Sequence, residues 1–595
     1  MKKILVSLLF LSSTSFLIAG SWIRVNQMGY LPISHKTAVF ISDEAGKKKS
    51  FVLKDANTDK VVFKGNAETK DASIWGMKQG YRLNFDEFET PGTYYVELAG
   101  IRSNPFKIDV DVYKGSADYI LNYMRQQRCG YNPFLGAACH QDDGIIVDHP
   151  TKTGQHLDVT GGWHDAADYL QYVTTSANAT YQMLFAYAQN PGAFGDNYNA
   201  LGQKGSNGIP DILDEAKWGL DWLVRMNPDS AEMYNQIADD RDHRVFDIPT
   251  KDTVDYGWGR GKERPIYFVT GKPQGLGKHI NRSTGVASTA AKFASSFALG
   301  AELFRSIDPE FSQLIATKAK EAYAFAESDP GVNQTACLSS PYFYEEDNYV
   351  DDLELAAATF SFFSGKTEYQ KRADYWGSLE PITPWMETAK ARHYQWYPFV
   401  NLGHFLLASS SDKEVASKYS GYMKDGLEYI RQRGESDPFY NGVPYLWCSC
   451  NFVVGALTQA QLYYQVTGDT KYSKMEAALR DWLFGCNPWG TSMICGLPEN
   501  GDYPELPHSG YTKENGVTTH GGLVDGPVYQ SIFNNLRGLV LYRPDNYSEF
   551  QTGVAVYHDD LGDYSTNEPT MDGTASLSFY LSTLEELGKK QSTNK

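Results

Sequence analysis

Two stretches of the chain set carboxylates among aromatic rings where they could move protons. The first is Gly161-Gly162-Trp163-His164-Asp165-Ala166-Ala167-Asp168-Tyr169. Asp165 and Asp168 are three residues apart, so on a tight turn their carboxylates lie side by side and could share one water. The same spacing also suits a helix N-cap with a second acid in the first turn. The second stretch is Tyr557-His558-Asp559-Asp560-Leu561-Gly562-Asp563-Tyr564-Ser565-Thr566-Asn567-Glu568-Pro569-Thr570. Glu568 stands just ahead of a helical segment, with Asp559, Asp560 and Asp563 nearby. Crowding by like charges raises a carboxyl pKa, as a general acid working near neutral pH requires. A calcium loop or a plain acidic turn would have the same composition. An acid that protonates a leaving oxygen, paired with a carboxylate that activates water, is the equipment for breaking a glycosidic bond.

A third set suggests a metal. Cys129, Cys139, His140 and His164 supply two thiolates and two imidazoles, the donors of a closed tetrahedral zinc site. A Cys129–Cys139 disulfide is the competing reading in an oxidising compartment. Seven cysteines is an odd number, so at least one thiol stays out of any disulfide framework. Glu345, Glu346 and Asp347 with Asp351 and Asp352 form an acidic run that could take calcium.

Stepping outward, residues 1–20 carry two lysines, an apolar run and then small residues, the pattern of a cleavable signal peptide for the periplasm or medium. No later run is long and apolar enough to span a bilayer, so no membrane insertion is expected. Residues 21–111 read as seven short strands rich in Val, Phe and Tyr between Gly, Pro, Asn and Asp turns, which predicts an immunoglobulin-like β-sandwich. Residues 112–588 read mainly as about a dozen helices with apolar residues at i, i+3, i+4 and i+7, joined by long polar loops. That is too many for a simple bundle, and no fixed-length repeat points to a solenoid. A toroid of paired inner and outer helices is expected, its loops building a cleft at one end. Residues 589–595 are expected to form a polar tail. The net charge of −18 argues against nucleic acid or anionic membrane as partner, but leaves a neutral polysaccharide free to bind. The 40 Tyr and 12 Trp could supply rings that stack on sugars, or simply a large aromatic core.

Both carboxylate stretches resemble the signatures of glycoside hydrolase family 9: GGWHDAADY is similar to its GGW-x-DAGD-x motif, and YHDDLGDYSTNEPTMDGTA to its C-terminal motif. IRVNQMGYLP, NGIPDILDEAKWGLDWLVRM, YLWCSCNF and LFGCNPWGTSMICG resemble further family segments, in order, from about residue 23 to 580. The resemblance implies an all-β immunoglobulin-like domain followed by an all-α (α/α)6 barrel, and a cellulase that cuts internal β-1,4-glucan bonds by inversion. It implies Asp168 as general base, Asp165 as the residue holding the water from the other side, Glu568 as general acid and Asp559 as a residue orienting the acid loop. His508 would contact sugar, and Trp163, Tyr564, Trp447 and Trp396 are candidate stacking platforms or core residues. Some family members carry a structural zinc whose ligands match Cys129, Cys139, His140 and His164, and calcium is also compatible with the family. No organic cofactor is implied, and the chain is expected to act as a monomer.

Three positions depart from the family pattern. Ala167 replaces the second Gly of DAGD, Ser509-Gly510 follow His508 where an arginine belongs, and Thr574 replaces an asparagine six residues after the acid. His520, in TTHGGLVDGPVY, is a candidate to replace the lost sugar contacts. Two alternatives stay open: an exo-acting hydrolase releasing short products, and a non-catalytic carbohydrate-binding protein.

Overall fold

The computed structural model describes residues 20–46, 49–338 and 344–593. Of the expected signal peptide, residues 1–19 lie outside the described residues. From Ser21 the chain forms two facing antiparallel sheets. One runs in the order Ser21–Arg24, Thr37–Ser42, Gln79–Asn84, Glu68–Lys70. The other runs Val61–Asn66, Ser50–Asp55, Gly92–Leu98, Ile101–Arg102, with Phe106–Ile108 also paired to Gly92–Leu98. Phe40, Leu53, Tyr81, Leu83, Val96 and Phe106 alternate inward and fill the space between the sheets. All seven expected strands are present. Glu68–Lys70 and Ile101–Arg102 are additional, and are too short to display an alternation.

Beyond this sandwich six helices form an inner ring: Val173–Gln189, Ala287–Leu303, Val350–Ser364, Leu402–Ala408, Ser449–Thr467 and Met571–Thr593. Leu121–Gln127, Asp211–Met226, Pro309–Ser328, Thr367–Gly377, Lys413–Gly434 and Ser473–Leu483 pack outside them, giving an (α/α)6 barrel. Outer helices face solvent on one side and show the expected apolar stripe, as Asp211–Met226 does. Inner helices are enclosed on nearly all sides, which weakens the stripe. Val173–Gln189 (VTTSANATYQMLFAYAQ) escapes the periodicity reading for this reason, yet it closes the ring against Met571–Thr593. That last helix runs on to Thr593, with Lys589 Nζ donating to the Gly192 carbonyl at 2.6 Å. The expected polar tail is therefore largely the final helical turn.

A small mixed sheet in the barrel loops, ordered Ile145–Val147, Pro265–Phe268, Tyr234–Ile237, Gln171–Tyr172, positions the chemistry. Gln171 pairs with Ile237 and Tyr172 with Gln236, so Asp168 just before one strand and residues 239–243 just after the other meet at the same end. No described helix is long and apolar enough to cross a membrane.

Candidate active site

The first carboxylate stretch is a loop held from below. Gly162 has φ +71°, and a side chain there would collide with the Trp222 ring. Trp163 then turns fully inward, its indole N–H donating to Glu215 Oε1 at 2.8 Å while the ring covers Gly219, where a Cβ would strike it. This corrects the expectation of a sugar-stacking face at Trp163: it is a core wedge under the loop. The buried Arg264 guanidinium pairs with Asp143 (2.7 and 2.9 Å), donates to Gln171 Oε1 at 2.7 Å and reaches the Tyr169 carbonyl, so the loop's return is pinned as well. The following helix begins only at Val173, and neither Asp165 nor Asp168 caps it.

Asp165 is buried and accepts hydrogen bonds from the Thr175 hydroxyl at 2.7 Å and from the Tyr344 hydroxyl. Burial, with Asp168 and Asp572 close by, raises its pKa well above the usual carboxyl range. Asp168 differs. Its Oδ2 lies 3.3 Å from His243 Nε2, and its Oδ1 has no hydrogen-bond partner among the described residues. Burial alone would make His243 less basic, but contact with Asp168 and the charge of Asp242 prevail and raise its pKa to about 9. An imidazolium thus stands beside Asp168, whose remaining acceptor is uncommitted.

Glu568 Oε1 accepts the Ala167 N–H at 2.9 Å, so the two carboxylate loops touch. Its pKa is raised well above the ordinary value by burial first, then by Asp525 and Asp168. The source of crowding is therefore not the one expected from sequence, because Asp559, Asp560 and Asp563 turn their carboxylates to structural partners. Asp559 accepts from the backbone of Glu505 and Leu506 at 2.9 Å each and from Asn567 Nδ2 at 3.1 Å. Asp560 caps the Tyr542 and Arg543 N–H groups, and Asp563 pairs with His558 at 2.7 Å.

His508 donates from Nδ1 to the Leu561 carbonyl at 2.6 Å and stacks on Phe246, ring centroids 4.4 Å apart. Its Nε2 is left as the acceptor. Tyr564 stands 6.1 Å from the His508 ring on one side and 6.1 Å from Trp447 on the other, which makes a row of rings along the acid loop. Trp396 is half-buried against the core. His520 does not join these residues; it contacts the Tyr119 hydroxyl at 3.1 Å in a separate cavity of about 660 Å³, lined also by Tyr198 and Tyr503 and by none of the carboxylates above.

Beneath the base loop, Cys129, Cys139, His140 and His164 bring four ligand atoms within 4.8 Å of one another. His164 Nε2 is 3.1 Å from His140 Nδ1, and Cys129 Sγ is 3.7 Å from the same nitrogen. Both cysteines are thiols. His140 turns its other nitrogen to Asp252 at 3.1 Å, the kind of support a ligating histidine has. Number, type and closeness of donors suit a metal ion. Four of the five acids in the run expected to offer calcium ligands are paired: Glu345 and Asp347 with Arg282 and Arg392, and Glu346 and Asp352 with the buried Lys292, while Asp351 keeps a buried oxygen without a partner among the described residues.

The model of glycosyl hydrolase family 9 matches residues 113–581, and that of the cellulase N-terminal ig-like domain matches residues 19–103. The chain belongs to glycosyl hydrolase family 9. Among its relatives, endoglucanase C of Cellulomonas fimi is 26% identical over 96% of this chain and 52% of its own length. The chain thus spans about half of that protein. The cellulose 1,4-beta-cellobiosidase of Acetivibrio thermocellus is 25% identical, over 97% of this chain and 69% of its own. A metagenome-derived family 9 endoglucanase of known structure superimposes with a TM-score of 0.75 at 27% identity, covering 95% of this chain and 99% of that one.

The departures of this family 9 chain from the expected pattern have local explanations. Ala167 avoids the left-handed region and keeps the N–H that Glu568 accepts. Ser509, just before the position where an arginine belongs, caps the helix Gly510–Asn515. Thr574 donates to the Thr570 carbonyl at 2.7 Å and accepts from Leu523 N–H at 2.9 Å. Sequence reading missed His243, Thr175, Tyr344 and Asp525. Of these only His243 carried a usable signal, since Asp239-Asp240-Arg241-Asp242-His243-Arg244-Val245-Phe246 is a third loop of charges and an aromatic ring.

Proposed function

We propose that this chain hydrolyses internal β-1,4-glucosidic bonds in cellulose or related β-glucans by an inverting acid/base mechanism. The observation that carries it is the contrast between two carboxylates at one site. Glu568 is buried among like charges, which favours its protonated form, while Asp168 keeps an uncommitted oxygen beside the imidazolium of His243. Glu568 donates its proton to the glycosidic oxygen as the bond to C1 lengthens. Asp168 takes a proton from a water attacking C1 from the opposite face, and His243 stabilises the base until it does. Asp165, fixed by Thr175 and Tyr344, orders the base loop and the attacking water. Asp559 orients Asn567 beside the acid, and His508, Tyr564, Trp447 and Trp396 line the sugar path. Cys129, Cys139, His140 and His164 would hold a structural zinc that braces this loop and takes no part in the proton transfers. The protein works as a secreted or periplasmic monomer.

Glu568→Gln should lower kcat on a soluble β-glucan by ~10²–10⁴-fold, and Asp168→Asn should fall comparably but regain activity with added azide. Viscometry of a soluble cellulose derivative tests the mode of attack: a rapid fall supports internal cleavage, and steady disaccharide release without that fall overturns it.

A further inference from the structure

Asp525 has no part in the scheme above, yet it is the charge nearest in effect to the acid. Its strand, Leu523–Val524, pairs antiparallel with Pro569–Thr570, Val524 opposite Pro569. One step along, Asp525 stands opposite Glu568, and its N–H donates to the Glu568 carbonyl at 2.8 Å. Residues directly opposite in an antiparallel pair project to the same face with neighbouring side chains. Asp525 is 1% exposed, and neither carboxylate oxygen has a nitrogen or oxygen donor among the described residues. The polar hydrogen facing it is the thiol of Cys448. Cys448 has φ +60°, a left-handed conformation that a cysteine adopts at a cost, and the Asp525 carbonyl accepts the Cys450 N–H at 2.9 Å. The strand end and this helix start thus bury a carboxylate on the residue opposite Glu568.

We propose that Asp525 and Glu568 form a carboxyl pair holding one proton between them, and that Asp525 is the positioning residue that keeps this proton available to the glycosidic oxygen. The proposal rests on Glu568 being the general acid. Two buried carboxylates on directly opposed residues resist ionising together near neutrality, so they titrate as a unit whichever oxygen carries the proton. Groups facing Glu568 are Asp168 and Asp165 from the base loop, Tyr123, Cys448 and Tyr564. Those facing Asp525 are Cys448, Cys450, Tyr123, Asp572, Asp165 and Asp563. None is a lysine or arginine that would neutralise the pair. In turnover the shared proton passes to the leaving oxygen, leaving the pair doubly charged. The proton that Asp168 takes from water then leaves to solvent, and solvent reprotonates the pair.

The sign follows directly. With Asn at position 525 the last proton leaves Glu568 without creating a second adjacent charge, so it leaves at lower pH. The alkaline limb of kcat/KM for Asp525→Asn on cellotetraose should move down by ~1 pH unit or more, with a loss of ~10-fold or more at neutral pH. Asp525→Glu should restore much of the limb. An aryl cellobioside with a strongly acidic phenol needs little help from the acid, so its limb should move far less. An unmoved limb for Asp525→Asn on cellotetraose overturns the proposal. Should that variant fail to fold, carbon-13 NMR of the parent's labelled carboxyl groups replaces it: two coupled steps support the pair, and one independent step for Glu568 overturns it. Glu568→Gln separates the two ideas, because if it stays active the acid assignment itself has failed.

Discussion

At the scale of single residues, the site works by giving chemically similar groups different surroundings. Asp165, Asp168 and Glu568 are all buried, but they receive respectively two hydroxyl donors, an imidazolium and a backbone N–H. His243 is the residue whose effect on stability is most readily measured. Its folded pKa of about 9 lies above the usual value near 6.5, so its pairing with Asp168 stabilises the fold fully below about pH 6.5 and loses that effect as pH rises through 9. The difference in thermal midpoint between the parent and His243→Gln should accordingly be largest below about pH 6.5 and shrink toward pH 9 and beyond. A difference that grows with pH across this window would contradict the ion pair.

At the scale of elements, the base loop is positioned by packing that faces away from the substrate. Trp163 fits against Gly219 on Asp211–Met226, so truncating it empties a large volume beneath Asp165 and Asp168. Trp163→Ala should cost ~3–5 kcal/mol in urea unfolding, the range for deleting a buried aromatic ring. Were the ring a sugar platform, unfolding would be nearly unchanged and KM would rise. Thr175 shows the same dependence from the inner helix Val173–Gln189. Thr175→Val keeps the shape but leaves a buried carboxylate oxygen short of a donor, for a loss of ~1–3 kcal/mol together with reduced kcat.

At the scale of the whole molecule, the sandwich and barrel share a core. Trp75 of the sandwich is buried, donates to Asp437 of the barrel at 3.0 Å, and contacts Trp482 and Trp489 edge-on or tilted. Asn26 reaches Asp481 at 2.7 Å, and Arg82 the Pro438 carbonyl at 3.0 Å. Removing residues 20–111 would uncover this aromatic patch, so the isolated barrel should aggregate or unfold well below the parent's midpoint, as light scattering during a thermal ramp would register. The metal group offers a second test. If it holds zinc, elemental analysis should find one equivalent, and chelation should lower the midpoint and loosen the loop that His164 shares with Asp165.

By itself the sequence predicted the sandwich, the barrel helices except Val173–Gln189, both carboxylate loops and the four side chains of the candidate metal group. These are written in local periods, turn residues and short motifs. Asp165, Asp168 and Glu568 were legible because each sits in a compact string of unusual composition. The tertiary structure decided what such strings cannot hold. Val173–Gln189 is enclosed by protein on nearly all sides, so its surface needs no amphipathic stripe. Trp163 and Trp447 are the same residue type in similarly aromatic strings, and only packing sends one into the core and brings the other to within 6.1 Å of Tyr564. Asp563, five residues from Glu568, satisfies His558 and its own turn, while Asp525, forty-three residues away, stands opposite Glu568 at the end of a two-residue strand pair. The two carboxylate motifs are local information; the surroundings that each side chain meets come from contacts between distant segments, and exist only once the barrel has closed.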